Sequence, residues 1–416
     1  MKSKSICNVL GLTALCLAGS ASAAGKPLFH ATAYVSRASA ATFESPAMVN
    51  LLTSPSSAAV QQVQVDAAAV APEEKQLQFE LGGRTVTATQ ARTESLEGGN
   101  SVWYGNLSGT ADVRKRGLSG IDPLNSAILV RSGDTVTGSI RSAGTLYRLR
   151  PLADGSHVLV EVDERRMPAE HPAEYNLLPS IAMPKEGRVG IAAASSGSPA
   201  TIRVLVVATN QAVAAYGSNM QALVQLAVAE SNQGYSNSNV GITLQLAGYQ
   251  TTSYTESGDF STDLARFRGT SDGYMDSIHT TRNSTAADVA VIVLNNSSYC
   301  GLASGIGSTA STAFASVYWD CATGYYSFAH EIGHLQSARH DVAADPSTSP
   351  YAYGHGYRYG NSWRTIMAYD CNSGCPRLNY WSNPNISYGG VPMGNASTAD
   401  NQRVLVNTKA TIAGFR

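Results

Sequence analysis

The chain has 416 residues, with 29 Lys and Arg against 30 Asp and Glu, so its formal net charge is −1. Nucleic-acid-binding proteins usually carry a clear positive excess, so this composition argues against that class. Charged residues make up 14% and hydrophobic residues 43%, which excludes a disordered chain and indicates a globular protein. At this length we expect two or three domains.

The first 23 residues are typical of a secretory signal peptide. Lys2 and Lys4 precede an apolar stretch over residues 6–18, and residues 21–23 (Ala-Ser-Ala) form a small-residue cleavage site. A retained membrane anchor is the alternative, but the apolar stretch is short for a membrane helix. We therefore expect a secreted protein that has no membrane partner once the signal is removed.

Residues 24–198 predict a β-rich region, and residues 36–75 within it give no clear pattern. Gly and Asp turns separate the predicted strands, which are 76–81, 127–130, 135–140, 145–149 and 157–162. We identify no catalytic group of residues in this region. The small and polar residues 192–199 predict a flexible linker that a protease could cut.

Residues 199–416 alternate predicted strands and helices. Apolar runs predict buried strands at 202–208 and 289–294, and alternation predicts a half-buried strand at 240–246. A capping box of Ser218 and Gln221 predicts a helix that runs to about Glu230, and a second helix is expected over 261–280. This order predicts an α/β (α+β) fold with a mixed, mostly parallel sheet.

The chemistry of the chain is concentrated in the segment that begins with His330, Glu331 and His334. Two histidines four residues apart lie one helical turn apart on one face, so both imidazoles can reach one ion. Apolar side chains at Phe328 and Ile332 fall on the opposite face and can pack into a core. Glu331 points to the side, where its carboxylate could hold a water molecule without being a ligand.

Two imidazoles leave a catalytic zinc site incomplete, because such sites usually have three protein ligands. His340 is the natural third ligand, which requires the helix to end near Gln336 and the chain to turn back. A glycine with positive φ is usual at such a turn, and here the residue is Ser337. A left-handed conformation at a non-glycine residue costs on the order of 1 kcal/mol, which metal bonds can offset.

Further along the chain, Met367 and Tyr369 stand in the sequence Thr-Ile-Met-Ala-Tyr. A methionine in a tight turn below a metal site would provide an apolar floor for the ligating histidines. The Tyr369 phenol could reach the metal and the oxyanion of a substrate, or it could be a packed aromatic in a Tyr-rich domain.

These residues resemble the metzincin zinc endopeptidases, whose HExxHxxGxxH pattern is followed by a methionine turn. The resemblance covers roughly residues 199–416, and Asp341 directly after the third histidine is similar to the reprolysin-like (adamalysin-like) branch. It implies a mixed sheet with one antiparallel edge strand, and hydrolysis of protein or peptide substrates. Tyr369 is instead similar to the astacin-like and serralysin-like branches, and Ser337 departs from the family pattern.

The resemblance also implies the role of each residue. His330, His334 and His340 correspond to the ligands of one Zn²⁺, Glu331 to the general base and Met367 to the methionine turn, whereas we expect Asp341 to be structural. Substrate would pair with a strand within residues 300–318, nearest the active helix. His355 could line the cleft, although a surface or loop position is more common for such a histidine.

Residues 24–198 would then be a pro-region that assists folding and restrains activity until cleavage near residues 192–201. Some metzincin pro-regions place a cysteine on the zinc, but this region contains no cysteine, so its means of inhibition is not apparent. An N-terminal binding module that stays attached is the alternative. We expect the protein to be a monomer.

Four cysteines remain after signal removal, and all lie in the last third of the chain. An even number in an exported protein predicts two disulfides, and proximity favours Cys300 with Cys321 and Cys371 with Cys375. A four-cysteine zinc site is the other interpretation, but paired C-x-x-C spacing is missing.

Two alternative functions remain at this point. One is a secreted binding or adhesion protein with a structural zinc site, and the other is a zinc hydrolase that acts on glycans or non-protein amides. The sequence is silent on calcium, because it shows no Asp-rich loop of the EF-hand type.

Overall fold

The computed structural model describes residues 25–108, 120–181, 198–217 and 219–416. The predicted signal peptide and most of the predicted linker at 192–199 lie outside these residues. Below, residues 25–181 are called the N-terminal part and residues 198–416 the C-terminal part.

The N-terminal part consists mainly of strands. The strands and the α-helix among its described residues are β1 (Lys26–Pro27), β2 (Phe29–Val35), α1 (Pro46–Thr53), β3 (Ser57–Val65), β4 (Gln76–Leu81), β5 (Arg84–Ser95), β6 (Ser101–Leu107), β7 (Ser126–Ser132), β8 (Thr135–Ser142), β9 (Thr145–Pro151) and β10 (His157–Val162), and short 3-10 helices lie between some of them. All five predicted strands are present, extended by at most two residues at either end. The residues without a clear pattern, 36–75, contain α1 and β3.

Ten strands from the described residues of the N-terminal part form one sheet, in the order β1-β4-β5-β6-β7-β8-β9-β10-β3-β2. Neighbouring strands are antiparallel except β1 and β4. Short turns join most of the central strands, as expected where consecutive strands pair. Leu77, Phe79, Trp103 and Leu129 are among the fully buried residues of its core.

The C-terminal part mixes strands and helices. Its elements, within the residues described, are β11 (Ala200–Thr209), α2 (Asn210–Tyr216), α3 (Met220–Asn237), β12 (Ile242–Thr252), α4 (Phe260–Arg268), α5 (Ser277–Ser284), β13 (Val289–Leu294), β14 (Gly301–Ala303), β15 (Phe314–Tyr318), α6 (Ser327–Leu335), β16 (Arg358–Tyr359), β17 (Trp363–Arg364), β18 (Asn383–Tyr388), β19 (Val391–Met393) and α7 (Asn401–Ile412).

The main sheet of the C-terminal part has the strand order β12-β11-β13-β15-β14. β11 pairs in parallel with β12 and β13, and β13 pairs in parallel with β15. The apolar runs of β11 and β13 therefore occupy the interior of the sheet, where both faces are covered. β14 is antiparallel to β15 and forms one edge, and α6 packs against both of these strands.

Two helix predictions were wrong in their extent. α3 continues to Asn237 rather than ending near Glu230, and the side chain of Asn219 caps it by accepting a hydrogen bond from the Ala222 amide at 3.1 Å. The predicted capping residue Ser218 lies outside the described residues.

The single helix expected over 261–280 is two helices, α4 and α5. The chain leaves helical geometry at Gly269 and turns through Gly273, whose φ is 85°.

The N-terminal sheet packs on the outer face of α3. Val102 and Val130 of the sheet share a buried cluster with Ala222 and Leu226 of the helix. An ion pair between Arg148 and Asp320, 2.7 Å long and about one-tenth exposed, joins the two parts at another point. The end of the N-terminal part makes its own contacts with the C-terminal part, where the Tyr175 hydroxyl donates to the carboxylate of Asp345 at 2.7 Å. Among the described residues we find no helix with the length and apolar character needed to cross a membrane.

Candidate active site

The predicted catalytic helix is α6, and it ends near Gln336, as the return of His340 to the site requires. Phe328, Ile332 and Leu335 are buried in the core of the C-terminal part, which leaves His330 and His334 on the other face. The helix ends at Leu335 with Gln336 as its C-cap, and Ser337 adopts φ 77° to reverse the chain. The turn without glycine therefore has the left-handed geometry that the sequence predicted for it.

This turn brings His340 back to the two helical histidines. Nε2 of His340 lies 3.2 Å from Nε2 of His330 and 3.1 Å from Nε2 of His334. All three rings are almost completely buried. The structure thus places the three predicted metal ligands at one point.

The opposite nitrogens fix the orientation of two of these rings. Nδ1 of His330 donates to the carbonyl of Ile366 at 2.9 Å, and Nδ1 of His334 donates to the carbonyl of Ala338 at 2.8 Å. Their Nε2 atoms therefore carry lone pairs, and both point at His340. Lone pairs that converge in this way repel one another unless a cation lies between them, and tethering by backbone carbonyls is typical of metal-binding histidines.

Burial also keeps these histidines neutral. It lowers the pKa of the His334 imidazole to about 4, and it holds the pKa values of His330 and His340 well below their ordinary value. Neutral imidazoles are the form that binds a metal. The donor set, its protonation and its geometry therefore fit a divalent cation that accepts nitrogen ligands.

Glu331 lies beside the three histidines, and its side chain is 1% exposed. Burial raises the pKa of its carboxyl group to about 8. The edge strand β14 passes directly over this carboxylate, because a Cβ atom added to Gly301 would lie 2.7 Å from Cγ and Cδ of Glu331. The glycine therefore provides the space that the carboxylate occupies.

Residues 366–369, which follow β17, form the opposite wall of the site. Met367 is fully buried in the core, one residue after the carbonyl that orients His330. The ring centroid of Tyr369 lies 4.4 Å from that of His340. Asp341 accepts a hydrogen bond from the Tyr369 amide at 3.0 Å and pairs with Arg358 at 3.0 Å, so it connects the turn after α6 to the segment of Tyr369.

The disulfide pairing expected from proximity is confirmed. Cys300 bonds to Cys321, and Cys371 bonds to Cys375. The first bond joins the residue before β14 to the loop that precedes α6. It therefore ties the edge strand to the helix that carries the metal-binding candidates.

One member of the site was missed by the sequence analysis, which found no catalytic group of residues before residue 199. His171 of the N-terminal part lies inside the site, and its ring centroid is 4.6–5.1 Å from those of His330, His334 and His340. Its Nε2 lies 3.0 Å from Oε1 of Glu331, and its Nδ1 lies 3.4 Å from the Tyr369 hydroxyl. Four histidines, not three, therefore form a cluster able to hold a metal.

His355 lies in the loop between α6 and β16, one of the positions considered for it, but it is neither in the cleft nor at the surface. It is 1% exposed, and its Nδ1 donates to the carbonyl of His340 at 2.8 Å. It lies behind a ligand candidate rather than in the cleft or at the surface. Its position follows from the isolated bridge between Arg339 and His355, which is a long-range contact that local sequence does not reveal.

Comparison with known proteins agrees with this chemistry. The family model Reprolysin_5, described as metallo-peptidase family M12, matches residues 198–382. A curated protein named Peptidyl-Asp metalloendopeptidase from Xanthomonas campestris pv. campestris is 76% identical over 417 residues and covers 100% of both chains. A protein of the same name from Stenotrophomonas maltophilia (strain R551-3) is 70% identical over 422 residues, again with 100% of both chains covered.

Among solved structures, metalloproteinase-II from Bacteroides fragilis is similar to this chain at 14% identity and a TM-score of 0.41, over 64% of this chain and 81% of that one. That likeness is too low to bear on function. The full-length curated relatives favour a peptidase over a binding protein with a structural metal or an amide hydrolase. The chain belongs to metallopeptidase family M12 and is a metalloendopeptidase of the reprolysin-like kind.

Proposed function

We propose that this metalloendopeptidase uses one zinc ion held by His330, His334 and His340. The observation that carries the proposal is the convergence of three neutral imidazoles, two of them with their opposite nitrogens bound to backbone carbonyls. Zinc favours such nitrogen sets, with three protein ligands in its catalytic sites. When bound, the ion would act as a Lewis acid on the peptide carbonyl.

The other groups of the site have roles that follow from their positions. Glu331, beside the histidines, would hold the attacking water, take its proton and pass that proton to the leaving amine. The Tyr369 hydroxyl, on the opposite wall, would donate a hydrogen bond to the developing oxyanion. Burial raises the pKa of Tyr369, so the phenol stays protonated and able to donate.

We propose that the substrates are protein chains cut at aspartate, because the relatives that match the whole chain are named for that residue. Substrate would lie along β14, the edge strand beside Glu331. A backbone contact at this edge supports that placement, since the Cys300 amide already donates to the carbonyl of Ala169 at 2.8 Å.

A digest of casein by the purified protein tests the peptidase. Chelation should abolish cleavage, and added Zn²⁺ should restore it in proportion to the zinc bound. Glu331→Ala should keep one zinc per chain and lose cleavage. Full activity of this variant would exclude Glu331 as the base, and activity that survives complete removal of zinc would exclude the metal mechanism.

We further propose that the protein is secreted as a zymogen and that residues 24–198 are its pro-region. Nε2 of His171 lies next to Glu331, where the attacking water would have to be. An imidazole there supports inhibition by occupation of a fourth ligand position, without the cysteine that some metzincins use. N-terminal sequencing of the secreted active protein should give a start near residue 200, whereas a start near residue 24 would contradict a zymogen.

The fourth ligand position can be tested without measuring activity. In the uncut chain substituted with Co²⁺, X-ray absorption should show four nitrogen ligands, and azide should not alter the visible spectrum. His171→Ala should lose one nitrogen ligand and gain azide binding, whereas the exposed His30→Ala should change neither. Azide binding to the unaltered uncut chain would contradict the proposal.

A further inference from the structure

Glu170, the residue before His171, lies in a buried pocket of the C-terminal part. Its Oε1 accepts hydrogen bonds from Nη1 of Arg364 at 3.1 Å and from the Tyr325 hydroxyl at 3.1 Å, and it also pairs with Nη2 of Arg377. Both arginine side chains are at most 1% exposed. A carboxylate is therefore held by two guanidinium groups and a phenol away from solvent.

The C-terminal part positions these donors by itself. Nη1 of Arg364 donates to the carbonyl of Ala368 at 2.8 Å, and Nη1 of Arg377 donates to the carbonyl of Tyr325 at 2.8 Å. The two guanidinium groups also lie over the Tyr325 ring, at 5.3 and 4.4 Å from its centroid. These contacts do not involve Glu170, so the pocket keeps its shape when another group enters it.

The charges of the pocket require an anion. Among the described residues, the carboxylates paired with the two arginines are Glu170 and Asp370, and Asp370 is 32% exposed and lies 3.5 Å from Nε of Arg364. Removal of Glu170 would leave two buried guanidinium groups with one partly exposed carboxylate. A buried charge without a partner is strongly unfavourable, so the pocket favours entry of a second carboxylate.

The pocket is also next to the reacting centre. The carbonyl of Ala368, which holds Arg364, lies between Met367 and Tyr369. Glu170 reaches the pocket from a segment that lies along the edge strand, where the Gly301 amide donates to its carbonyl at 3.2 Å. Since neighbouring residues of an extended chain are about 3.3–3.6 Å apart, a peptide on this edge can place a side chain in the pocket and the adjoining peptide bond at the histidines.

We propose that Arg364, Arg377 and Tyr325 form the specificity pocket for the acidic side chain that flanks the cleaved bond, and that Glu170 occupies it in the uncut chain. The proposal deepens the proposed peptidase function and rests on it. The pocket recognises a carboxylate by charge and by paired hydrogen bonds, so Asp and Glu are its ligands and the isosteric amides are not.

The test uses the active form that the full-length chain gives after processing, and peptides that differ only by Asp, Glu or Asn at one position. The unaltered enzyme should prefer Asp over Asn by at least about 100-fold in kcat/KM, because a site built for a polar group strongly rejects an analogue that cannot satisfy it. Arg377→Gln should reduce that ratio to about 5-fold or less, because kcat/KM falls further for the Asp peptide than for the Asn peptide. Arg403→Gln, which alters an exposed guanidinium on α7, should keep the ratio.

The two possible negative results contradict different claims. Absence of cleavage of every peptide and of casein would contradict the peptidase function itself. Cleavage with an Asp preference that persists in both Arg377→Gln and Arg364→Gln would overturn the pocket.

A second measurement does not depend on the folding of the variants. The peptide Pro-Ala-Glu-His-Pro, which corresponds to residues 168–172, should inhibit the unaltered active enzyme at least about 10-fold more strongly than the same peptide with Gln in place of Glu. Equal inhibition by the two peptides would overturn the proposal.

Discussion

The backbone of Gly301 and the carboxylate of Glu331 fit together so closely that any side chain at position 301 would collide with Glu331. A Cβ atom there would lie 2.7 Å from Cγ and Cδ of the glutamate. Gly301→Ala should therefore displace the proposed base and lower kcat by at least about 10-fold, a loss of about 1.4 kcal/mol in transition-state stabilisation. Zinc content should not change, because the three atoms nearest to the added Cβ all belong to Glu331 and not to the histidines. An unchanged kcat would contradict the close fit.

Ser337 offers a stabilising substitution. Its φ of 77° is left-handed, and its buried Oγ has no hydrogen-bond partner among the residues that the structure describes. Ser337→Gly should raise the free energy of unfolding by about 1 kcal/mol, since glycine adopts this conformation without strain. Denaturation by urea checks this in a Glu331→Ala background that prevents self-cleavage, and a Ser337→Val control should be less stable than the parent.

The two disulfides should contribute unequally to stability. Replacement of Cys300 and Cys321 by Ala opens a loop with a sequence separation of 21, and replacement of Cys371 and Cys375 opens one with a separation of 4. Chain entropy predicts losses of about 3 and about 2 kcal/mol in the free energy of unfolding. Denaturant titration of both double variants measures the difference, and a larger loss for the shorter loop would contradict this explanation.

His157 should make stability depend on pH. Its Nε2 accepts a hydrogen bond from the Val136 amide at 3.1 Å, and burial lowers its pKa from 6.5 to about 4. The unfolded chain therefore binds the proton more readily, so the stabilisation is present above pH 6.5 and is lost as the pH falls towards 4. The shift corresponds to about 3 kcal/mol.

The role of His157 is measured by comparing how the stability of two chains, with and without this histidine, depends on pH. The midpoint of unfolding is followed from pH 7 to pH 4 for the unaltered sequence and for His157→Gln, both with Glu331→Ala. The loss over this range should be smaller in the variant, because a neutral side chain takes up no proton. Parallel curves would show that His157 has no part in the pH dependence.

Local sequence was sufficient to predict the arrangement of those site residues that lie close together in the chain. The spacing of His330 and His334 on one helix, the end of that helix near Gln336 and the turn at Ser337 all follow from helical periodicity and from the need for a third ligand. Long apolar runs likewise located β11 and β13. The break between α4 and α5 was missed because a helical pattern was extended across Gly269 and Gly273.

Glu170 and His171 could not be predicted in this way. Glu170 lies 155 residues before its partner Tyr325, His171 lies 160 residues before its partner Glu331, and no motif surrounds the two residues. Long-range contacts between the N-terminal part and the C-terminal part bring them to the site. A pair of adjacent polar residues flanked by prolines at 168 and 172 was the available signal, and it is weak without the partner arginines.

In the proposed zymogen, the pocket that holds Glu170 is also the pocket that would select the acidic side chain of a substrate. A change of Arg364 or Arg377 that alters which bonds are cut would then also weaken the contact with residue 170 of the uncut chain. Redesign of such an enzyme for other targets would thus require a compensating exchange at position 170, or the altered precursor would become active too early.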